Sequence, residues 1–350
     1  MHEYARRERA VKRVPGNPCA GTLGKRGFER YTYAAMSRLV QRIASAWIVL
    51  PILFWGTSFV ATRIALASFH PFGLVAARFV LGATLVYGFL AVRREKLWPA
   101  RRDLFQCVFL GLVLGAHLLI QGFALLSTTA INSGWIVGFS PIVIALGAQL
   151  FLRRPLAARG WAGVVLATIG LWLVAFASAP DWTHPGAGDL LVLSSTLTWA
   201  IYSLASIGPV ARNGSVQVTA LAMAVGALVC ALAACTSGFA LKPPAPGEIA
   251  ALLFLGILCS GVAFSLWLRA IELRGPAAIG ALIYFQPFVT LAAGALVLHE
   301  AVTPYALVGG PLVLVGVWLV NRGSPLARRA ARGASETRAE TRAPTTSTTE

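Results

Sequence analysis

Ten apolar runs, each long enough to cross the hydrocarbon core of a bilayer, follow one another along most of the chain. They cover residues 44–65, 72–92, 104–126, 131–152, 159–178, 188–208, 216–236, 249–269, 276–297 and 303–321. Lipid offers no partners for open backbone groups, so each run is expected to be helical. The implied fold class is all-α integral membrane with ten transmembrane helices. Composition enters here only as a check: 57% of the 350 residues are hydrophobic and 12% charged, where soluble domains carry about a quarter. The lipid bilayer is therefore the expected surrounding partner.

The charges give the runs a direction. Formal net charge is +17. Such a balance can mark a nucleic-acid binder, but here the basic residues sit in tails and in short gaps, as topology determinants do. No nucleic-acid partner is expected. With the N-terminus in the cytoplasm, residues 1–42 hold ten Lys or Arg and residues 322–350 hold six. Gaps on the same side hold Arg93, Arg94, Lys96, Arg101, Arg102, Arg153, Arg154, Arg159, Arg212, Arg269 and Arg274. That places 27 of 30 on one side and leaves Arg63, Arg78 and Lys242. The expected localisation is the cell (inner) membrane, multi-pass, with N- and C-termini cytoplasmic. Residues 1–42 and 322–350 are polar and expected to lack fixed structure. Met36 is an alternative start.

The chain also repeats itself. Residues 126–174 lie on residues 272–320 at an offset of 146 without a gap, with 12 of 49 positions identical. Among the matches are Gly134 with Gly280, Pro141 with Pro287, Gly163 with Gly309, Gly170 with Gly316 and Trp172 with Trp318. At offset 144, Trp55 matches Trp199. Residues 43–180 and 187–321 then form two five-helix repeats. An odd number of spans per half makes the halves inverted, as in many secondary transporters.

Polar groups inside spans each call for a reason. His117 and Gln121 lie four apart on one helix face. They line a substrate cavity, with His117 as a proton-responsive group, or they make an interhelical hydrogen bond. Gly111 with Gly115, and Gly134 with Gly138, form small-residue surfaces for close helix approach. Asn132 is expected to cap its helix in preference to touching substrate, and Trp135 is an interfacial anchor or a cavity wall. Trp55 and Ser58 share a face of the first span, and Ser195, Trp199 and Tyr202 share one of the sixth. Aromatic walls with sparse hydroxyls suit amphipathic organic solutes. Tyr284 and Gln286 are further cavity candidates, beside Pro287 in the ninth span; Pro141 and Pro287 are expected to kink or hinge their helices. Arg78 either binds an anionic group or, as expected, snorkels to the interface. The substrate-binding candidates are thus Trp55, Ser58, His117, Gln121, Trp135, Ser195, Trp199, Tyr202, Tyr284 and Gln286.

Several function classes lack a signature. Cys19, Cys107, Cys230, Cys235 and Cys259 form no CxxC pair, so neither a metal site nor a disulfide framework is indicated. There is no P-loop, hence no sign of an internal ATPase. No catalytic residues and no cofactor are expected. The second function weighed is an enzyme acting on lipid, which needs a clustered acid pair, HExxH or Ser/His/Asp set; the five His are scattered. The third is a sensor subunit without flux. A flippase for lipid-linked substrates is the neighbouring transport alternative.

Phe54-Trp55-Gly56-Thr57-Ser58-Phe59, Ala76-Ala77-Arg78-Phe79, the small-residue stretches up to Pro141 and Pro287, and Leu298-His299-Glu300 before Gly309 and Gly316 together resemble EamA-type members of the drug/metabolite transporter superfamily. The resemblance covers about residues 44–321 and implies a ten-helix carrier of small metabolites or drugs, mostly an exporter. One departure stands out: the family often has Glu after the fourth helix of both halves, and here Arg154 takes that place in the first. The expected partner is a small-molecule substrate; a homodimer stays open.

Overall fold

The computed structural model describes residues 47–152, 158–176, 186–274 and 281–323. The account below concerns Ile48 onward. The helices are α1 Leu50–Ala65, α2 Pro71–Val92, α3 Leu104–Ala124, α4 Ala130–Val137, α5 Ser140–Leu152, α6 Ala158–Phe176, α7 Ala187–Ala205, α8 Ile207–Asn213, α9 Ser215–Ser237, α10 Pro246–Leu253, α11 Ala263–Arg274, α12 Gln286–Val297 and α13 Pro304–Gly323. A π-helical stretch, Phe254–Val262, joins α10 to α11, and a 3-10 turn, Ala281–Phe285, precedes α12. Among the described residues the sole β pairing is an isolated antiparallel bridge between Phe69 and Ala240.

Among the described residues, six helices are long and apolar enough to cross a membrane: Trp47–Ala65, Pro71–Val92, Arg101–Ala124, Ala187–Asn213, Ser215–Ser237 and Pro246–Leu273. The fourth, fifth, ninth and tenth runs of the sequence yield shorter apolar helices, Ala130–Ile144, Ala158–Val174, Gln286–Val297 and Pro304–Val320. Backbone breaks shorten two of them. The fourth run turns at Gly138–Phe139 between α4 and α5, and the ninth begins as the 3-10 turn. Pro141 is the second residue of α5 and Pro287 the second of α12, where the missing N–H is an orphan anyway. The two prolines start helices after a break, at matching positions of the repeat.

The start of α4 shows how a helix end is satisfied here. Its first N–H groups need acceptors, and lipid supplies none. Ala130 N and Ile131 N both donate to the Glu300 carboxylate, each at 2.9 Å. Asn132 N donates to Thr129 Oγ1 at 3.0 Å. The cap is therefore Thr129 and not Asn132, because the helix begins at Ala130 and a cap must precede it. The Asn132 side chain instead reaches Val174 O at 3.4 Å. Arg63 lies 3.7 Å from Glu300 and also donates to Thr128 O. Glu300 thus ties the end of α1 and the start of α4 to the loop before α13. The corresponding Arg154 lies outside the described residues. Glu300→Ala strands two buried donors, so it is expected to cost about 2–4 kcal/mol and to lower the melting temperature of purified protein. Glu300→Gln, which keeps an acceptor, is expected to lose less; equal melting curves for wild type and Glu300→Ala would refute this.

The repeat is visible as reciprocal packing. A Cβ on Gly170 would sit 2.5 Å from Gly309 O, and one on Gly316 would sit 2.5 Å from Gly163 O. Gly163 pairs with Gly309 in the repeat and Gly170 with Gly316, so each glycine meets the twin of the other. Such cross-matching is the mark of a two-fold relation. It makes α6 and α13 antiparallel neighbours at backbone contact. Small surfaces recur elsewhere: Gly134 faces Thr290 of α12, and Gly111 faces Ala222 O of α9. The outer faces carry exposed Phe105, Leu197, Leu232 and Leu296, the apolar surface that lipid requires.

Candidate functional site

Near the centre, α1 and α7 bring Trp55 and Trp199 face to edge, with ring centroids 5.2 Å apart. These are the offset-144 pair, so twins meet here too. Trp267 lies 5.2 Å and Phe264 5.1 Å from Trp55, and Tyr202 stacks on Trp199 at 5.8 Å. The Trp55 indole N–H donates to Cys259 O at 3.0 Å, inside the π-helical stretch. Wider winding of this kind often accompanies functional sites. It also carries Ser260, whose Oγ lies 3.0 Å from Arg78 Nε.

A cavity of about 40 Å³ opens beside this cluster. Its wall is Trp55, Ser58 and Phe59 of α1, Arg78 of α2, His117, Leu118 and Gln121 of α3, and Val137 of α4. Trp199 of α7, Phe264 of α11, Ile283 of the 3-10 turn and Gln286 of α12 complete it. Space of this size holds about three or four water molecules, so any larger solute requires the lining side chains to rearrange.

His117 is oriented by α7. Its Nδ1 lies 3.0 Å from Ser195 O and 3.0 Å from Thr198 Oγ1. Thr198 donates its own proton to Ser195 O, so both groups accept and Nδ1 carries the proton. In the neutral ring Nε2 is then an acceptor. Gln121 Nε2 donates to Ser195 Oγ at 3.4 Å. His117 and Gln121 thus bond across to α7, and both also line this cavity.

Of the ten candidates, Trp55, Ser58, His117, Gln121, Trp199 and Gln286 come together on the wall. Ser195 and Tyr202 stand behind it, holding Gln121 and Trp199. Trp135 lies elsewhere, against Phe288 at 5.6 Å and over Gly310. The Tyr284 side chain lies outside the described residues. Arg78 does not snorkel: it is 4% exposed, turned inward onto Ser260. Its place on the second turn of α2 faces the π-helical stretch, where Gly82 and Gly256 let the backbones approach. Sequence reading missed Phe264 and Trp267; the repeat register held a signal, since Gln121 plus 146 is Trp267.

Polar ties between the halves flank the cavity. Arg212 donates to Asp103 from Nε at 2.9 Å and from Nη2 at 2.6 Å, and Asn213 adds a bond at 2.8 Å. Asp103 is buried and belongs to the first half; Arg212 and Asn213 belong to the second. At the other end of the bundle stand the Glu300 cap and a bond from Ser68 to Glu248 at 2.6 Å.

Comparison with known proteins decides the family. A model described as the EamA-like transporter family matches twice, at residues 42–176 and 186–322. The chain belongs to the EamA-like transporter family. An EamA transporter is a multi-pass membrane protein and not an enzyme, and its architecture is a two-repeat one. An "Uncharacterized transporter" of Archaeoglobus fulgidus is 28% identical over 280 residues, 78% of this chain and 96% of that one. A "Probable terminal-alkyne amino-acid exporter" of Streptantibioticus cattleyicolor is 29% identical over 290 residues, 81% of this chain and 95% of that one. One solved structure, described only as a crystal structure of a protein, aligns with this EamA transporter at a TM-score of 0.61 and 22% identity. It covers 81% of this chain and 99% of the other, which establishes likeness of fold.

Proposed function

We propose that the protein is an alternating-access secondary carrier that exports small organic solutes from the cytoplasm. In this reading ten helices cross the inner membrane in two inverted five-helix halves, with both termini cytoplasmic. Residues 43–180 and 187–321 are the halves, and the cavity between them is the substrate site. The observation that carries the reading is the meeting of Trp55 and Trp199 at one cavity wall. Equivalent helices of the two halves share a single small chamber, the arrangement in which rocking one half against the other exposes a site to either side. The antiparallel crossing of α6 and α13 supports inversion, and the charge bias supports the orientation. The Asp103–Arg212 cluster and the Glu300 cluster then act as the inner and outer ties that break in turn.

One relative is named a probable terminal-alkyne amino-acid exporter, so amino acids head the solutes to try. Proteoliposomes containing the purified protein are expected to move solute down a gradient when loaded with a panel of amino acids, nucleosides and sugars. A folded preparation that moves nothing in the panel, together with unchanged excretion in a deletion strain, would refute the carrier reading. Scrambling of lipid-linked substrate without solute flux would move the assignment to a flippase.

A further inference from the structure

We propose that Arg78 is the anchor for a carboxylate, so that the solutes carried are organic monocarboxylates with an apolar body. The inference rests on the carrier reading for its cavity and goes on to name the chemistry the cavity selects. Arg78 is the single charged side chain on the wall, and no carboxylate lies within ion-pairing distance of it among the described residues. It is 4% exposed. Its Nε is spent on Ser260 Oγ, an uncharged partner, which leaves the two terminal nitrogens to the cavity.

A buried charge without a counter-ion is costly, and the cost falls when an anion arrives. A guanidinium fork matches the two oxygens of a carboxylate. Charge count narrows the choice among anions. One arginine neutralises one negative charge; a phosphate dianion would leave a net charge among Trp55, Trp199 and Phe264. Those rings, beyond the guanidinium, suit an apolar body. The remaining polar groups, Gln121, Gln286 and His117 Nε2, are neutral and add orientation. A cation faces Arg78 with nothing to offset the repulsion.

The test compares three molecules with one skeleton: 3-phenylpropionate, 3-phenylpropanamide and 3-phenylpropylamine. Binding to the full chain in nanodiscs is measured by titration calorimetry, and flux in proteoliposomes is followed in parallel. Wild type is expected to bind the acid at least about tenfold more tightly than the amide, with the amine weakest. Arg78→Gln is expected to lose acid binding while treating the amide as wild type does. Arg78→Lys keeps a cation and is expected to keep the order acid over amine at reduced affinity. If Arg78→Gln does not fold, the wild-type order and Arg78→Lys still decide. Equal binding of acid and amide, no binding of the acid by wild type, or unchanged acid binding in Arg78→Gln would overturn the proposal. Flux that ignores the carboxylate sinks the anchor and leaves the carrier; acid binding at Arg78 without flux of any solute does the reverse.

Discussion

Gly316→Ala is expected to cost about 3 kcal/mol and to leave little monodisperse protein after extraction. A single added Cβ would lie 2.5 Å from Ala167 N and 2.5 Å from Gly163 O. Both are backbone atoms, so no rotamer change relieves the clash and α6 must move away from α13 along its length. Overpacking of this kind reaches the upper end of the usual range of about 1–3 kcal/mol. In lipid the loss is felt fully, because helix association there depends on close packing and not on expulsion of water. Gly309→Ala should behave alike, since Gly309 makes the equivalent contact with Gly170. Gly88→Ala is the control: a Cβ there meets nothing within 4 Å, and Ala is a better helix former than Gly by about 1 kcal/mol. It should melt at or above the wild-type temperature. If Gly316→Ala and Gly88→Ala melt together, the reciprocal contact has no energetic weight.

Trp199→Ala is the second large effect, and it joins stability to transport. The indole is 6% exposed and touches Trp55, Trp267, Phe264, Tyr202 and the His117 ring. Removing it should cost about 3–5 kcal/mol and enlarge the cavity on the side of the second half. Solute flux should fall to background in proteoliposomes even where enough protein survives to reconstitute. Trp199→Phe keeps a ring against Trp55 and should recover much of the stability and part of the flux. Trp161, half exposed on the outer face of α6, is the matching control, and Trp161→Ala should change both quantities little. Equal flux in Trp199→Ala and Trp161→Ala would remove Trp199 from the substrate path.

Both outcomes bear on what could be read in advance. The pairing of Gly163 with Gly309 and of Gly170 with Gly316 was plain in the sequence as identity at a constant offset. Their contact was not, because identity says that two positions do the same job and leaves open whether they do it to each other. His117 and Gln121 were legible as a shared helix face, since a four-residue spacing sets that face whatever surrounds it. The partner face, Ser195 and Thr198 on α7, required two helices to be placed. Asn132 was expected at the cap because the break was set three residues late, at Asn132 and not at Thr129. That the fourth and ninth runs are broken was not legible, since hydropathy does not register a turn at Gly138–Phe139 or a 3-10 start before Gln286.

Arg78 separates the two sources of information most clearly. The sequence by itself determined an all-helical membrane chain, a repeated one, with polar residues at known depths along each helix. Those properties follow from local chemistry: what lipid tolerates, how far a helix rises per residue, and which spacings share a face. Whether an arginine about two turns in from a helix start reaches outward to the interface or inward to the centre depends on what stands beside the helix. Tertiary packing set Gly256 and Ser260 of the π-helical stretch against α2 and turned the guanidinium inward, to a cavity with no carboxylate on its wall.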